Sequence, residues 1–512
     1  MTAPEAQGTS RWDSSWLALI LAFAFAFRFA QLDGLAPFID ESADVVLSLD
    51  YQSWDVWSRL LHGKLLGYLW FKPILLLAWD PLYAARLFAA LAGMASVALT
   101  YGLLLTLASR RAALVGAAFL AFLPIVVFHD RLALFDGLMV AAVTAGVLLY
   151  VRGGTDRPLT LLTAGFLFGV ALFTKAYASL AILLWFPILR RQSVRHSRAV
   201  LLAGLGLLVC VLITGLFLAV QLKEGERNLQ AALSVPSRFL APDLSAGQRA
   251  GLALRQLGEV FDYLRGYNGW AFFPVVLLAG FLPGSRWKLR LELLATWLLS
   301  CLILAAAFQF FFSRYLLLTL PVLALLVALV VDDCMATVRT TSRRIKNNWL
   351  PLTALLLLAL CGLDFVYRDT LIAAQVFSRV LPARDAYQYL WGGPSGFGLR
   401  EVADKLREVD LTDDRKVICV TRGMGTGTHG AATLPLLLRH APIRFVHVWL
   451  KSNADIQLVR DLPKHSRVVV FVDDPQFLNR QVLAQLNAQP RLLFEIRGTT
   501  GRPDYRLFEL VR

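Results

Sequence analysis

With 512 residues, 57% of them hydrophobic and 17% charged, and a mean hydropathy of +0.58, the chain is too apolar for a water-soluble protein and too long for one small domain. Its net charge of +15 would suit a nucleic-acid binder, but most of the excess lies in short loops between apolar runs, so it reports topology and no nucleic-acid partner is expected. The five cysteines (Cys210, Cys301, Cys334, Cys361 and Cys419) show no CxxC or paired spacing, and neither a disulfide framework nor a zinc site is indicated.

The chain opens on a polar stretch, Met1 to Trp12, with no basic segment or small-residue cleavage site ahead of the first apolar run. Residues 15–31 are therefore expected to be a retained helix rather than a signal peptide. A spanning helix needs roughly 20 apolar residues. By that rule about eleven spans are expected, near 14–32, 86–108, 112–128, 134–151, 159–174, 176–189, 199–222, 269–283, 291–311, 315–332 and 350–367. With the N-terminus in the cytoplasm, every loop left inside is basic: Arg110-Arg111, Arg152 and Arg157, Arg190 to Arg198, Arg286 to Arg290, and Arg339 to Lys346. An odd number of spans then puts the C-terminal tail outside, together with long loops near 33–85 and 223–268.

The first outer loop carries two adjacent carboxylates, Asp40 and Glu41, with Arg28 about three helical turns earlier in the first span. Alone, such a pair reads as a turn capping the next helix. Further on, Lys72 precedes Pro73, which biases it to an extended backbone. The stretch His129 to Asp136 follows, in which Arg131 and Asp136 flank the start of a span and are expected to face one cavity. His129, with Asp130 behind it, is a candidate metal ligand with its supporting carboxylate; Asp40 is the other candidate ligand. Lys175 falls in a tight turn between two spans, and Arg314 with Tyr315 in another. All these residues, and Arg86, are predicted at the outer ends of their helices. Charges in a bilayer are usually functional or paired, and one layer of carboxylates, a histidine and several cations suits an anionic lipid headgroup.

From about Asp369 the character changes. Runs rich in β-formers (417–420, 443–449, 468–472, 492–496 and 505–510) alternate with helical stretches (400–409, 434–440 and 476–486), which predicts a small α/β domain with a largely parallel sheet. The glycine-rich stretch Arg422 to Gly430 follows a strand, but its spacing is neither GxGxxG nor Walker A, so it is expected to be a turn.

Taken together, these residues resemble the GT-C superfamily of membrane glycosyltransferases, in the branch of protein O-mannosyltransferases and the lipid A aminoarabinose transferase. The resemblance rests on Asp40-Glu41, Lys72-Pro73, Ala84-Ala-Arg-Leu87, Arg131 with Asp136, Phe173-Thr-Lys175, and Arg314-Tyr315 before Leu320-Pro321, with Arg28 in the first span and Trp391 to Gly398 after the last. It implies a polytopic α-helical membrane protein with a GT-C-like transmembrane domain over 1–368 and an extracytoplasmic α/β domain over 369–512, in the plasma (inner) membrane. It also implies inverting transfer of a sugar from a polyprenyl-phosphate donor to a glycan, lipid or protein acceptor outside. Asp40 is then the general base, with Glu41 and Asp136 as further catalytic carboxylates. The donor phosphate would be held by Lys72, Arg131, Lys175, Arg314 and Tyr315, with Arg28, His129 and Asp130 in support. No cofactor is assigned, and a divalent metal ion stays open because some relatives use one. A secondary transporter or flippase for a lipid-linked sugar is the alternative, although transporters place their ionisable residues near mid-membrane; a silent scaffold is a third reading.

Overall fold

The computed structural model describes residues 11–49, 64–153, 157–191, 196–221, 245–282, 284–308, 310–341, 350–411, 416–422, 428–448, 450, 452–474, 476–497 and 504–511. In chain order the helices up to the tail are α1 (Arg11–Phe29), α2 (Ile39–Leu49), α3 (Leu65–Leu77), α4 (Pro81–Leu107), α5 (Arg110–Ala121), α6 (Pro124–Asp130), α7 (Asp136–Gly153) and α8 (Pro158–Thr174). They continue with α9 (Ala181–Arg191), α10 (His196–Gln221), α11 (Ala246–Asn268), α12 (Phe272–Phe281), α13 (Trp287–Ala307), α14 (Leu320–Thr341) and α15 (Leu350–Ala373). The chain divides into two compact units. One comprises residues 1–31, 53–70 and 86–380; the other comprises 32–52, 71–85 and 381–512.

The first unit is a helical bundle. Among the described residues, six apolar segments are long enough to cross a membrane: α4, α7, α10, α13, α14 with the 3-10 turn before it, and α15. The pair α5–α6 makes a seventh, bent by 58°. The other expected spans fall on the shorter or more interrupted α1, α8, α9 and α12, so the expected eleven resolve into six or seven full-length spans and four shorter helices. The breaks have local causes. Pro124 has no N–H to donate and disfavours helical geometry at Leu123, which is extended (ψ 113°). Lys175 is likewise extended (φ −153°, ψ 122°), so α8 stops there and a 3-10 turn, Ala176–Leu180, leads into α9.

Burial separates inner from outer helices. The apolar window ending in α14 is 94% buried, whereas those of α10 and α15 are 22% buried and present leucines to their surroundings. A helix apolar on every side and enclosed by others is the centre of a bundle, and one with the same composition left exposed faces lipid. One end of α14 is tied by ions. Arg286 binds Asp332 at 2.7 Å, Arg290 reaches Asp333 at 3.3 Å, and Asp332 also accepts from the N–H of Ser109, the N-cap of α5.

Both expected outer loops contain unforeseen helices, α3 in 33–85 and α11 in 223–268. The start of α11 is a capping box: Ser245 Oγ accepts from the N–H of Gln248, whose side chain accepts from the N–H of Ser245.

In the second unit, five strands, β1 (Val417–Arg422), β2 (Arg444–Val448), β3 (Arg467–Val472), β4 (Gln489–Ile496) and β5 (Tyr505–Val511), form one sheet in the order β2-β1-β3-β5-β4. The helices α16 (Leu399–Leu411), α17 (Thr433–Leu437), α18 (Asn453–Arg460) and α19 (Arg480–Leu486) alternate with them. Strands β1, β2 and β3 are parallel, but β5 pairs antiparallel with β3 and with β4, so the sheet is mixed rather than largely parallel. The reason is connection length: eight residues separate β4 from β5, and a parallel return needs about a dozen or more. Apolar side chains cover both faces, Leu399, Leu406 and Leu434 on one and Ile456, Val459 and Val482 on the other. Most of the glycine-rich stretch, residues 423–427, lies outside the described residues.

Candidate functional site

In the helical bundle, Asp136 is the first residue of α7, where the helix dipole favours a carboxylate, and it is 1% exposed. Lys175 Nζ lies 3.1 Å from its Oδ2, and the Tyr177 hydroxyl donates to its Oδ1. The 3-10 turn after Lys175 carries Tyr177 to that position. The charge of Arg314 acts on the same carboxylate, and its guanidinium stacks on the Phe312 ring at 4.8 Å. Tyr315 closes the cluster with its ring 5.2 Å from that of Tyr177 and 4.7 Å from that of Phe308. His129 Nε2 is 2.9 Å from Ser313 Oγ and feels the charges of Asp136, Arg314 and Lys175. Among the described residues, Asp136, Lys175, Arg314, Tyr315 and His129 therefore come together. Buried charge of one sign attracts its opposite strongly, because little solvent screens it.

A second cluster lies in the same bundle. Arg28, fully buried in α1, binds Asp130 Oδ2 through Nε at 2.9 Å and donates from Nη1 to the Ala121 carbonyl at 2.9 Å. Ala121 ends α5 and Asp130 ends α6, so Arg28 spans the break at Pro124, satisfying one end-of-helix carbonyl and one carboxylate. Gly93 in α4 makes room for this, since a Cβ there would fall on the Asp130 carboxylate. Arg131 donates from Nη1 to the Phe27 carbonyl at 2.6 Å and from Nη2 to that of Gln31 at 3.4 Å. Burial, with Arg86 and Arg28 nearby and Asp369 opposing them, brings the Arg131 guanidinium down to about 10, so it stays charged at neutral pH. Arg131 and Asp136, expected to face one cavity, thus bond to different groups. Arg131 turns to the end of α1, and Asp136 turns to Lys175 and Tyr177.

Asp40, Glu41 and Lys72 belong to the other unit. Asp40 and Glu41 lie in the first turn of α2, and the buried Glu41 accepts from the N–H of Phe38, its N-cap, at 3.1 Å. This is half of a capping box, so Glu41 holds the helix start. Asp40, beside it, is half-buried. Helix α2 packs on α17 of the sheet domain, and Phe38 meets Tyr389 edge-on at 4.8 Å. The glycine-rich segment after the last span supports the same place: Gly396, in left-handed conformation (φ 62°), lies against the Pro37 carbonyl, where a side chain would collide. Lys72 is half-buried in α3, which continues through Pro73. The expected extended backbone at Lys72 is not found, because the apolar run on either side carries the helix through.

His129 engages Ser313 and Asp130 engages Arg28, and among the described residues no three His, Cys, Asp or Glu side chains converge. Three residues escaped sequence reasoning. Tyr177 stands two positions from Lys175, Ser313 stands beside Arg314, and Asp369 reads from sequence only as a boundary.

Residues 66–214 match the family model for dolichyl-phosphate-mannose-protein mannosyltransferases. No protein of curated function matches the chain by sequence. Among solved structures, ArnT from Cupriavidus metallidurans in the apo state superposes with a TM-score of 0.63 at 14% identity, over 96% of this chain and 98% of that one. The same protein bound to undecaprenyl phosphate gives 0.57 at 14% identity over the same shares. Over nearly its whole length the chain thus has the fold of ArnT, and within that fold residues 66–214 carry the match to the mannosyltransferase family model.

Proposed function

We propose that the chain moves a sugar from a polyprenyl-phosphate carrier to an acceptor on the extracytoplasmic face of the plasma membrane, with inversion at the anomeric carbon. The observation that carries this reading is the convergence of Lys175 and Arg314, from two separate interhelical turns, on the buried Asp136. A lysine and an arginine fixed in place at one buried site supply the point-charge and planar donors that phosphate recognition uses. The family match and the binding of undecaprenyl phosphate by ArnT support the same donor class.

In this reading Asp40 is the general base. It takes the proton of the acceptor hydroxyl as that oxygen bonds to the anomeric carbon, while the bond from that carbon to the phosphate oxygen breaks. The electron pair leaves with the lipid phosphate, whose growing charge is met by Lys175 and Arg314, with Arg131, Lys72 and Tyr315 completing the phosphate contacts. Asp136 sets Lys175 and Tyr177 in place. Glu41 fixes the helix that presents Asp40. The acceptor is a glycan, a lipid or a protein, the N-terminus is cytoplasmic and the sheet domain extracytoplasmic. The test is the stereochemistry of transfer by the purified protein in liposomes supplied with polyprenyl-phosphate sugars. An inverted anomer in the product is expected, and retention would remove the single-displacement mechanism.

A further inference from the structure

Tyr177 stands two positions after Lys175, and the two side chains hold one carboxylate. Lys175 Nζ lies 3.1 Å from Asp136 Oδ2, and the Tyr177 hydroxyl donates to Asp136 Oδ1. A continuous helix could not arrange this, because residues two apart on it do not face one place. The break between α8 and α9 makes it possible. Lys175 is extended (φ −153°, ψ 122°), the chain then tightens into the 3-10 turn Ala176–Leu180, and the Lys175 carbonyl accepts from the Ala178 N–H at 2.9 Å. The irregular backbone thus delivers two donors of different kinds, one cationic and one neutral, to the two oxygens of a single carboxylate.

Asp136 is buried at the start of α7, where each carboxylate oxygen needs a donor in place of water. The last torsion of an aspartate has broad wells. An oxygen without a donor would let the carboxylate swing, and Lys175 would follow it. The phenol on Oδ1 is itself seated by its ring, which meets Phe308 edge-on at 6.4 Å and Tyr315 at 5.2 Å. Tyr315 belongs to the turn that brings in Arg314. Tyr177 therefore sits in one cation-bearing turn and packs on the other.

We propose that Tyr177 is a positioning residue for Lys175: by holding Asp136 Oδ1, its hydroxyl fixes the plane of the carboxylate and with it the place of the ammonium that meets the donor phosphate. The ring supplies the packing against Phe308 and Tyr315, and the hydroxyl supplies the positioning. Tyr177→Phe removes the second and keeps the first.

The inference rests on the donor-phosphate role proposed for Lys175, and its test separates the two. Affinity for undecaprenyl phosphate is measured on the full-length protein in detergent, for the wild type, Tyr177→Phe, Lys175→Met and the double variant. Tyr177→Phe is expected to weaken binding about tenfold, the scale on which losing a group behind a ligand-holding residue usually acts. With Lys175→Met already present it is expected to add nothing, because its effect passes through that ammonium. No binding by the wild type, or wild-type affinity in Lys175→Met, would sink the phosphate reading itself. Binding that Lys175→Met weakens but Tyr177→Phe leaves unchanged, or two losses that multiply, would overturn the positioning role alone. So would a lowered melting temperature with unaltered affinity, which is what a hydroxyl that only braces α7 gives. Should Tyr177→Phe fail to fold, Asp136→Asn takes its place, since the amide oxygen still accepts from Tyr177 and the buried charge is gone. A loss of about tenfold that is no larger when Tyr177→Phe is added supports the proposal. Wild-type affinity, or a further loss on adding Tyr177→Phe, overturns it.

Discussion

Replacing Gly93 by alanine reverses an ordinary expectation. In a helix interior, glycine to alanine normally stabilises by about 0.8–1 kcal/mol, because alanine has less backbone entropy to lose. Gly93 lies inside α4 with the Asp130 carboxylate packed on it, and an added Cβ would overlap the carboxyl carbon and both oxygens. The carboxylate therefore has to leave Arg28 Nε, now 2.9 Å away, in a place where the two side chains are 0% and 3% exposed. Separating a buried pair while both charges stay buried costs about 3–5 kcal/mol, so after the helix gain Gly93→Ala should destabilise by roughly 2–4 kcal/mol. Equilibrium unfolding of the purified protein in detergent measures this, and the same substitution in an Asp130→Ala background should recover most of the loss. A Gly93→Ala protein as stable as wild type, or more stable, would refute the packing of Asp130 against α4 and the role of Arg28 across the break at Pro124.

Two further outcomes follow from the same structure. Lys175→Met leaves Asp136 buried with a charge and one fewer cation, and should destabilise by about 3 kcal/mol in the same assay, with Asp136→Asn alongside it restoring part of the loss. In the sheet domain, burial alone would raise the Glu509 carboxyl, but hydrogen bonds and charge from Arg467 and Arg491 outweigh it and hold it below its ordinary 4.5. The stability this contributes is complete above about pH 4.5 and disappears as pH falls through the lower folded value. Glu509→Gln should therefore flatten that part of the acid-unfolding profile, and an unchanged profile would contradict the assignment.

Hydropathy alone located the helices of the bundle, because a bilayer demands apolar length whatever the tertiary packing. Where the spans break was less legible. Pro124 announces its kink, but no local signal encodes the extended backbone of Lys175, whose side chain reaches Asp136. The two outer helices were partly readable. Ser245 and Gln248 form a capping-box pattern, while α3 is too short for a span and was absorbed into a loop. The mixed sheet follows from the short link between β4 and β5, a length visible in the sequence once the strands are known.

Residue types and order singled out Lys175, Arg314, Tyr315, His129 and Asp136, and the bundle gathers these five. Partner choice was not readable. Arg131 and Asp136 stand five positions apart yet face different groups, because the turn between α6 and α7 rotates them apart. Asp130 goes to Arg28 and its neighbour His129 to Ser313, because successive residues of a helix point about 100° apart. Glu41 shows the reverse: a helix-capping turn, the plain reading of any Asp-Glu pair, describes it.

The central claim is that Asp40 removes the acceptor proton during transfer from a lipid phosphate. Asp40→Asn keeps the size and helix-starting position of the side chain and removes its basicity. The decisive measurement is single-turnover sugar transfer from polyprenyl-phosphate donors by this variant in liposomes, with undecaprenyl phosphate binding followed on the same sample. Transfer falling by at least about a hundredfold, the lower bound for general-base catalysis, with binding and folding unchanged, is the predicted result. Transfer at the wild-type rate would contradict it.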